Sequence, residues 1–151
     1  MSIPRRLGLG IVALLVAACG YVETTPPAPT PADFGGIATE FARRGIHPDH
    51  VVSGDPGCTD KVLSPTAISF DAQGLDQTTP AHIYLYVFRD RATFERLRST
   101  IDACARSFVT DPQTYESAEQ SPFVLAGQGP WAPQFKAALR QGLEVAAGTG
   151  N

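Results

Sequence analysis

The sequence predicts an α+β fold: a mostly antiparallel sheet of four strands with helices packed on it, in the order α-β-β-β-α-β-α. Three stretches carry that prediction. Phe94, Leu97, Ile101, Cys104 and Phe108 recur at three-four-three-four spacing, the strongest helical period in the chain. Residues 81–88 alternate with apolar side chains on both faces, which marks an interior strand covered from two sides. Near the end, Pro133 opens and Gly148 closes a second amphipathic helix.

In chain order, structure is expected to begin at Asp33, read as an N-cap, with Phe34, Ile37, Ala38 and Phe41 on one helical face. Gly35 and Gly36 weaken the first turn by up to about 1 kcal/mol each relative to alanine. Gly45 falls where a left-handed residue ends a helix, and Ile46 is placed to fold back on Phe41. Arg43 and Arg44 suit the negative end of the helix dipole. His47-Pro48-Asp49-His50 has the H-x-x-H spacing of a metal pair. Its proline breaks the helix that would align the two imidazoles and no third ligand follows at a telling distance, so the segment reads as a turn with surface histidines. Residues 51–53 form a short strand, and Asp55-Pro56-Gly57 is a turn that presents Cys58.

Residues 66–70 and 81–88 read as two strands joined by a long polar hairpin loop over 71–80. In the second strand Ile83, Leu85 and Val87 point one way, and His82, Tyr84, Tyr86 and Phe88 the other. The aromatic row is either a shelf for a ligand or, as such rows generally are, packing beneath a helix. Asp90 caps the next helix. Its five periodic apolar positions fall within an arc of about 80°, which turns Cys104 toward the core. Arg91, Glu95, Arg96, Arg98, Asp102 and Arg106 lie outside that arc on a solvated face of mixed sign, with Asp102 and Arg106 expected to pair. Asp111-Pro112 stops the helix, and the acidic stretch to Gln120 reads as a connection with a short extended piece at Tyr115.

Residues 123–126 form the last expected strand. The glycines of 127–131 suggest a phosphate loop, but no complete nucleotide motif is present and Pro130 removes a backbone donor. That segment is expected to be a tight passage into the last helix, with Trp131 as its lid. The helix then turns Phe135, Ala138, Leu139, Gly142, Leu143 and Ala146 inward. The third strand, second helix and fourth strand are expected to make one right-handed crossover.

Ahead of the domain, Arg5 and Arg6 precede an uncharged apolar run over 7–18, the two leading regions of a secretory signal. About a dozen residues at 1.5 Å each fall well short of roughly 30 Å of hydrocarbon, so the run is expected to be removed rather than to span a bilayer. Val16, Ala17, Ala18 and Cys19 match a lipobox position by position, and in these residues the chain resembles a bacterial lipoprotein. That resemblance implies diacylglycerol on the sulfur of Cys19, cleavage just before it, usually acylation of the new amino group (hence palmitate), and residence in the cell membrane or outer membrane facing the extracytoplasmic side. It covers the first twenty residues only. Gly8 and Leu9 fit the twin-arginine export pattern poorly, which leaves the general route.

The expected domains are therefore a signal at 1–18, a lipidated cysteine with a Pro/Thr-rich linker at 19–32, a single α+β domain at 33–148, and a tail at 149–151. The linker favours extended polyproline II and would hold the domain some 30 to 40 Å from the bilayer. With Cys19 lipidated, Cys58 and Cys104 are the two that remain of three, and in an oxidising compartment they are expected to pair. They form no C-x-x-C redox motif.

Without the signal the chain carries ten basic and fifteen acidic residues, about −5. It lacks the basic footprint of a nucleic-acid binder and a polybasic patch for anionic lipid. It contains neither G-x-S-x-G nor H-E-x-x-H, and no cofactor or metal is expected. The function expected is a non-catalytic lipoprotein domain that binds an envelope protein or a solute, with Tyr84, Tyr86 and Trp131 as candidate contacts. The alternatives are a small envelope hydrolase using His82, or His47 and His50, with nearby aspartates, and a metal carrier.

Overall fold

A computed structural model describes residues 31–148. The signal, Cys19 and most of the linker lie outside the described residues, as does the tail. The elements are α1 (Pro31–Arg43), β1 (His47–Ser53), β2 (Ala67–Gly74), β3 (Gln77–Val87), α2 (Arg91–Ala105), β4 (Tyr115–Gln120), β5 (Phe123–Gln128) and α3 (Pro133–Ala146), with 3-10 turns at Ser64–Thr66 and Pro112–Thr114. The five strands form one antiparallel sheet in the order β1-β2-β3-β5-β4. The class is α+β as expected, but there are five strands rather than four, in the order α-β-β-β-α-β-β-α.

Each difference has a local reason. The extra strand, β4, is an edge strand whose polar sequence Tyr-Glu-Ser-Ala-Glu-Gln buries only Ala118. An edge half open to water needs little apolar patterning. The expected loop over 71–80 is instead two strand ends joined across Leu75-Asp76, with Gly74 paired to Gln77. β5 pairs with β3 only from Ile83 onward, so the overhanging end buries only Ala72 and Ala81 and otherwise reads as polar. Likewise His47–His50 is strand, not turn: it pairs at the sheet edge, where Pro48 is tolerated, and the register slips between Asp49 and Val52.

β3 and β4 run in the same direction with β5 between them, so α2 carries the chain from β3 past one strand to the edge, and a hairpin returns it as β5. The expected crossover to residues 123–126 is thus corrected: that strand lies antiparallel to β3.

The sheet separates two cores. Ile68 and Phe70 of β2, Ile83, Leu85 and Val87 of β3, and Leu125 of β5 face α1 and α3, meeting Phe34, Ile37, Phe41, Phe135, Leu139 and Leu143. Tyr84, Tyr86 and Phe88 of β3, with Val124 and Ala126 of β5, face α2 and meet Leu97, Ile101 and Cys104. The alternation read along β3 holds at each of these positions.

α1 starts at Pro31, so Asp33 lies within the helix rather than capping it. Its end is a Schellman motif, with Ile46 N–H donating to Phe41 C=O and Gly45 N–H to Ala42 C=O, and with Gly45 at φ +78°. α2 is capped as expected: the Asp90 carboxylate accepts from Thr93 N–H at 2.7 Å. On its outer face Asp102 pairs with Arg98 at 2.7 Å, not with Arg106, and Arg91 pairs with Glu95 at 2.8 Å. α3 has no side-chain cap from Ala132. Asp76, in the β2–β3 turn, supplies it from a distance, accepting from Gln134 and Phe135 N–H at 2.9 Å each. Among the described residues no helix is long and apolar enough to cross a membrane.

Candidate functional site

Cys58 and Cys104 are joined, with Cα atoms 5.5 Å apart across 46 residues of chain. The bond fastens the loop after β1 to the inner face of α2. Asp55 pins the same loop to the sheet, accepting from buried Ser69 Oγ at 2.8 Å and from Gly57 N–H at 3.0 Å. Gly57, at φ +77°, lies so close to Phe108 and Tyr84 that a Cβ would come within 2.8 Å of both rings. Beneath it the hydroxyl of Tyr86 donates to Pro56 C=O at 2.8 Å. Cys104 Sγ also lies 3.0 Å from that carbonyl, but a disulfide sulfur has no proton to give, so the tyrosine is the donor. Burial pushes the Tyr86 phenol far above its ordinary range.

This strap settles where the aromatic row goes. Tyr84 is 9% exposed and stacks on Phe108 at 4.3 Å between centroids, and Tyr86 is fully buried. Trp131 is 4% exposed on the opposite side of the sheet, edge-on to Phe135 and over Gly127. The three candidate contacts therefore share no pocket: Tyr84 and Tyr86 are core beneath α2, and Trp131 is core beneath α3. Trp131 Nε1 is the only buried side-chain nitrogen or oxygen without a hydrogen-bond partner among the described residues.

The histidines do gather. Asp71 on β2 stands opposite His82 on β3 and Asp49 on β1. Its carboxylate lies 2.7 Å from His82 Nδ1 and 3.2 Å from His50 Nδ1. The bulge and a left-handed backbone at His50 (φ +50°) bring that ring inward over the neighbouring strand. His47 lines the same shallow recess, whose volume is about 90 Å³, far below the roughly 300 Å³ of a small-molecule site. Among the described residues the polar partner of the His82 ring is Asp71, those of the His50 ring are Asp49 and Asp71, and neither ring reaches a hydroxyl or thiol. No group of three or more His, Cys, Asp or Glu among them is placed to hold a metal ion.

A larger concavity lies where α2 ends beside β4. It is a groove of about 460 Å³ between Arg98, Asp102, Ala105 and Arg106 on the helix, Val109 and Pro112 beyond it, and Tyr115 at the start of β4. Arg98 bonds both Asp102 and Glu119, and the Tyr115 hydroxyl donates to Asp102 at 3.2 Å. Burial, reinforced by the Asp102 charge, pushes the Tyr115 phenol up to about 12. Sequence reasoning missed this site. Arg98, Asp102 and Arg106 do recur every four residues, but the opposite wall belongs to β4, of which the sequence suggested only a short extended piece at Tyr115.

Comparison with known protein families, with curated proteins and with solved structures finds no match for this chain.

Proposed function

We propose that the chain is a lipid-anchored, extracytoplasmic, non-catalytic domain that holds a binding surface away from a bacterial membrane. The observation that carries this reading is the distribution of its cysteines: two of the three are joined within the domain, and the third, Cys19, occupies the lipobox position. A structural disulfide suits an oxidising compartment. Two or three acyl chains on one residue give stable anchoring, each buried methylene contributing about 0.8 kcal/mol. The test is fractionation of a bacterium expressing the full chain and its Cys19→Ala variant, with labelled palmitate in the medium. The wild type is expected in the membrane fraction, labelled and shortened, and the variant unlabelled and full length. Equal behaviour of the two chains would refute the anchor.

The gathering of His50 and His82 on Asp71 favours a second reading, a small envelope hydrolase in which one imidazole is the base and Asp71 orients it. Turnover of ester or amide substrates that disappears in His82→Gln would support it. An inert wild type would dismiss it.

A further inference from the structure

We propose that the groove between the Ser64–Thr66 turn and the first turns of α2 is a docking surface for an acidic peptide segment of another protein, one that carries a single apolar side chain among its carboxylates. The assignment rests on the binding half of the function proposed above and not on the lipid anchor, because every wall of the groove belongs to the folded domain.

Arg89 stands in the short link from β3 to α2, and Thr93 and Arg96 follow in the first two turns of the helix. Opposite them the loop before β2 brings up Val62, Pro65 and Thr66. Leu97 is 8% exposed and belongs to the core beneath α2, whereas Val62 is left 55% exposed beside a fully buried Leu63. Covering Val62 and Pro65 returns about 25 cal/mol for each Å² of apolar surface removed from water. The groove's volume of about 260 Å³ is below the roughly 300 to 1,000 Å³ of small-molecule sites, which suits one side chain of a larger partner rather than a free metabolite.

Charge selects the partner. Neither Arg89 nor Arg96 makes an ion pair or a hydrogen bond among the described residues, and no carboxylate lines the groove. The adjoining Asp90 spends one oxygen on Thr93 N–H at 2.7 Å and the other on the Thr93 hydroxyl at 3.2 Å. The Thr93 N–H bond is what chiefly holds that carboxyl below its ordinary range, and Arg96 adds least. Glu95 is bonded to Arg91, and Asp60 accepts from Val62 N–H. With these neighbours counted, Lys61, Arg89, Arg91 and Arg96 stand against Asp60, Asp90 and Glu95, so the region stays positive in a chain that is acidic overall. Recognition of anionic lipid takes clusters of about four to eight basic residues, and only two line this groove. An apolar centre flanked by arginine is instead the composition of protein interfaces, where arginine is among the residues that carry most of the binding energy. The partner's apolar side chain covers Val62 and Pro65 above Leu97, and carboxylates on either side of it meet Arg89 and Arg96.

The experiment is a titration of the full chain, purified in detergent, with four blocked pentapeptides, followed by backbone amide NMR. Three have a central leucine flanked by pairs of glutamates, glutamines or lysines, and the fourth has glutamates around a central serine. The acidic leucine peptide is expected to bind most tightly, to shift the amides of Val62, Thr66, Arg89 and Arg96 together, and to loosen as salt is added. Replacing Arg89→Gln and Arg96→Gln together is expected to weaken it about threefold to tenfold, two exposed charge pairs at roughly twofold to threefold each, and to leave the glutamine peptide unchanged. Val62→Ser, at an exposed position, is expected to remove the advantage of leucine over serine. The assignment is overturned by absent or scattered shifts, by glutamine or lysine peptides that bind as tightly as the acidic one, or by a double variant that binds like the wild type. It is also overturned if phosphatidylglycerol added to the micelles moves these amides and the acidic peptide does not, which would make the partner a lipid surface. Because the readout is local, a chain that binds the peptide but lacks lipid refutes only the anchor, and a lipidated chain without these shifts refutes only the docking surface.

Discussion

Adding one methyl group to either of two helical glycines is expected to change stability in opposite directions, because the surroundings differ and the chemistry does not. Gly36 lies on the exposed face of α1, where an added Cβ would find nothing within 4 Å. There alanine gains helix propensity alone, about 0.5–1 kcal/mol. Gly142 lies in the middle of α3 against Phe41, where a Cβ would stand 2.5 Å and 2.7 Å from two ring carbons. The same propensity gain applies, but the methyl must displace a ring that is fully buried and packs on Phe70 at 6.2 Å, which in turn packs on Phe34 at 5.0 Å. Overpacking of this kind costs about 1–3 kcal/mol, so the balance for Gly142→Ala is a loss of about 1 kcal/mol. In a domain of this size that lowers the midpoint of thermal unfolding by about 4 °C, and Gly36→Ala raises it by about 2–4 °C. Thermal melts by circular dichroism resolve shifts of this size. If Gly142→Ala stabilises as much as Gly36→Ala, the close packing of α1 on α3 is wrong.

Three further expectations follow from other parts of the fold. Replacing both Cys58 and Cys104 by serine is expected to cost about 4 kcal/mol by the loop-entropy argument, and reductant should lower the denaturation midpoint of the wild type but not of that variant. Tyr86→Phe removes the hydroxyl that satisfies Pro56 C=O in a buried setting and is expected to lower stability by about 1–3 kcal/mol in urea titrations; an unchanged midpoint would mean that the strap is not held there. For Asp76, burial raises the carboxyl pKa, but the N–H bonds from Gln134 and Phe135 outweigh it and hold the value below the ordinary 3.8; for Asp90 the Thr93 N–H bond lowers it likewise. The unfolded chain therefore takes up these protons first as pH falls, so their contribution is complete above about pH 5 and disappears as pH drops through the folded values. Asp76→Ala should accordingly melt below the wild type at pH 7, and the gap should narrow as pH falls through the folded carboxyl's range; a gap that does not change with pH would contradict the remote cap.

What was legible in the sequence depended on how fully each element is buried. α2 announced itself because Leu97, Ile101 and Cys104 are all buried at helical spacing, and β3 because both of its faces are covered. The Schellman end of α1 was readable from Gly45 and Ile46, since only a residue free to adopt positive φ closes that turn easily. β4 and the outer ends of β1, β2 and β3 were not readable: their backbones pair at an edge or an overhang, where water covers the side chains and the alternation loses its meaning. The remote cap of α3 by Asp76 had no local signature, because the two groups are 58 residues apart in the chain. The candidate site suffered in the same way. An aromatic row along β3 was visible, yet the loop that buries it is positioned by Asp55 and Ser69, two polar residues whose pairing no pattern reveals. The groove beside Tyr115 depends on the edge strand that the polar sequence concealed.

In the function we propose, Cys19 carries lipid while Cys58 and Cys104 hold each other. Intact-mass and peptide mass spectrometry of the full chain purified from bacterial membranes, without reduction, tests both halves at once. The expected result is a polypeptide that begins at residue 19 with a diacylglyceryl mass on its first cysteine, a peptide pair linked through positions 58 and 104, and no free thiol. An unmodified amino terminus upstream of residue 19, or a thiol at either of the other two cysteines, would contradict it.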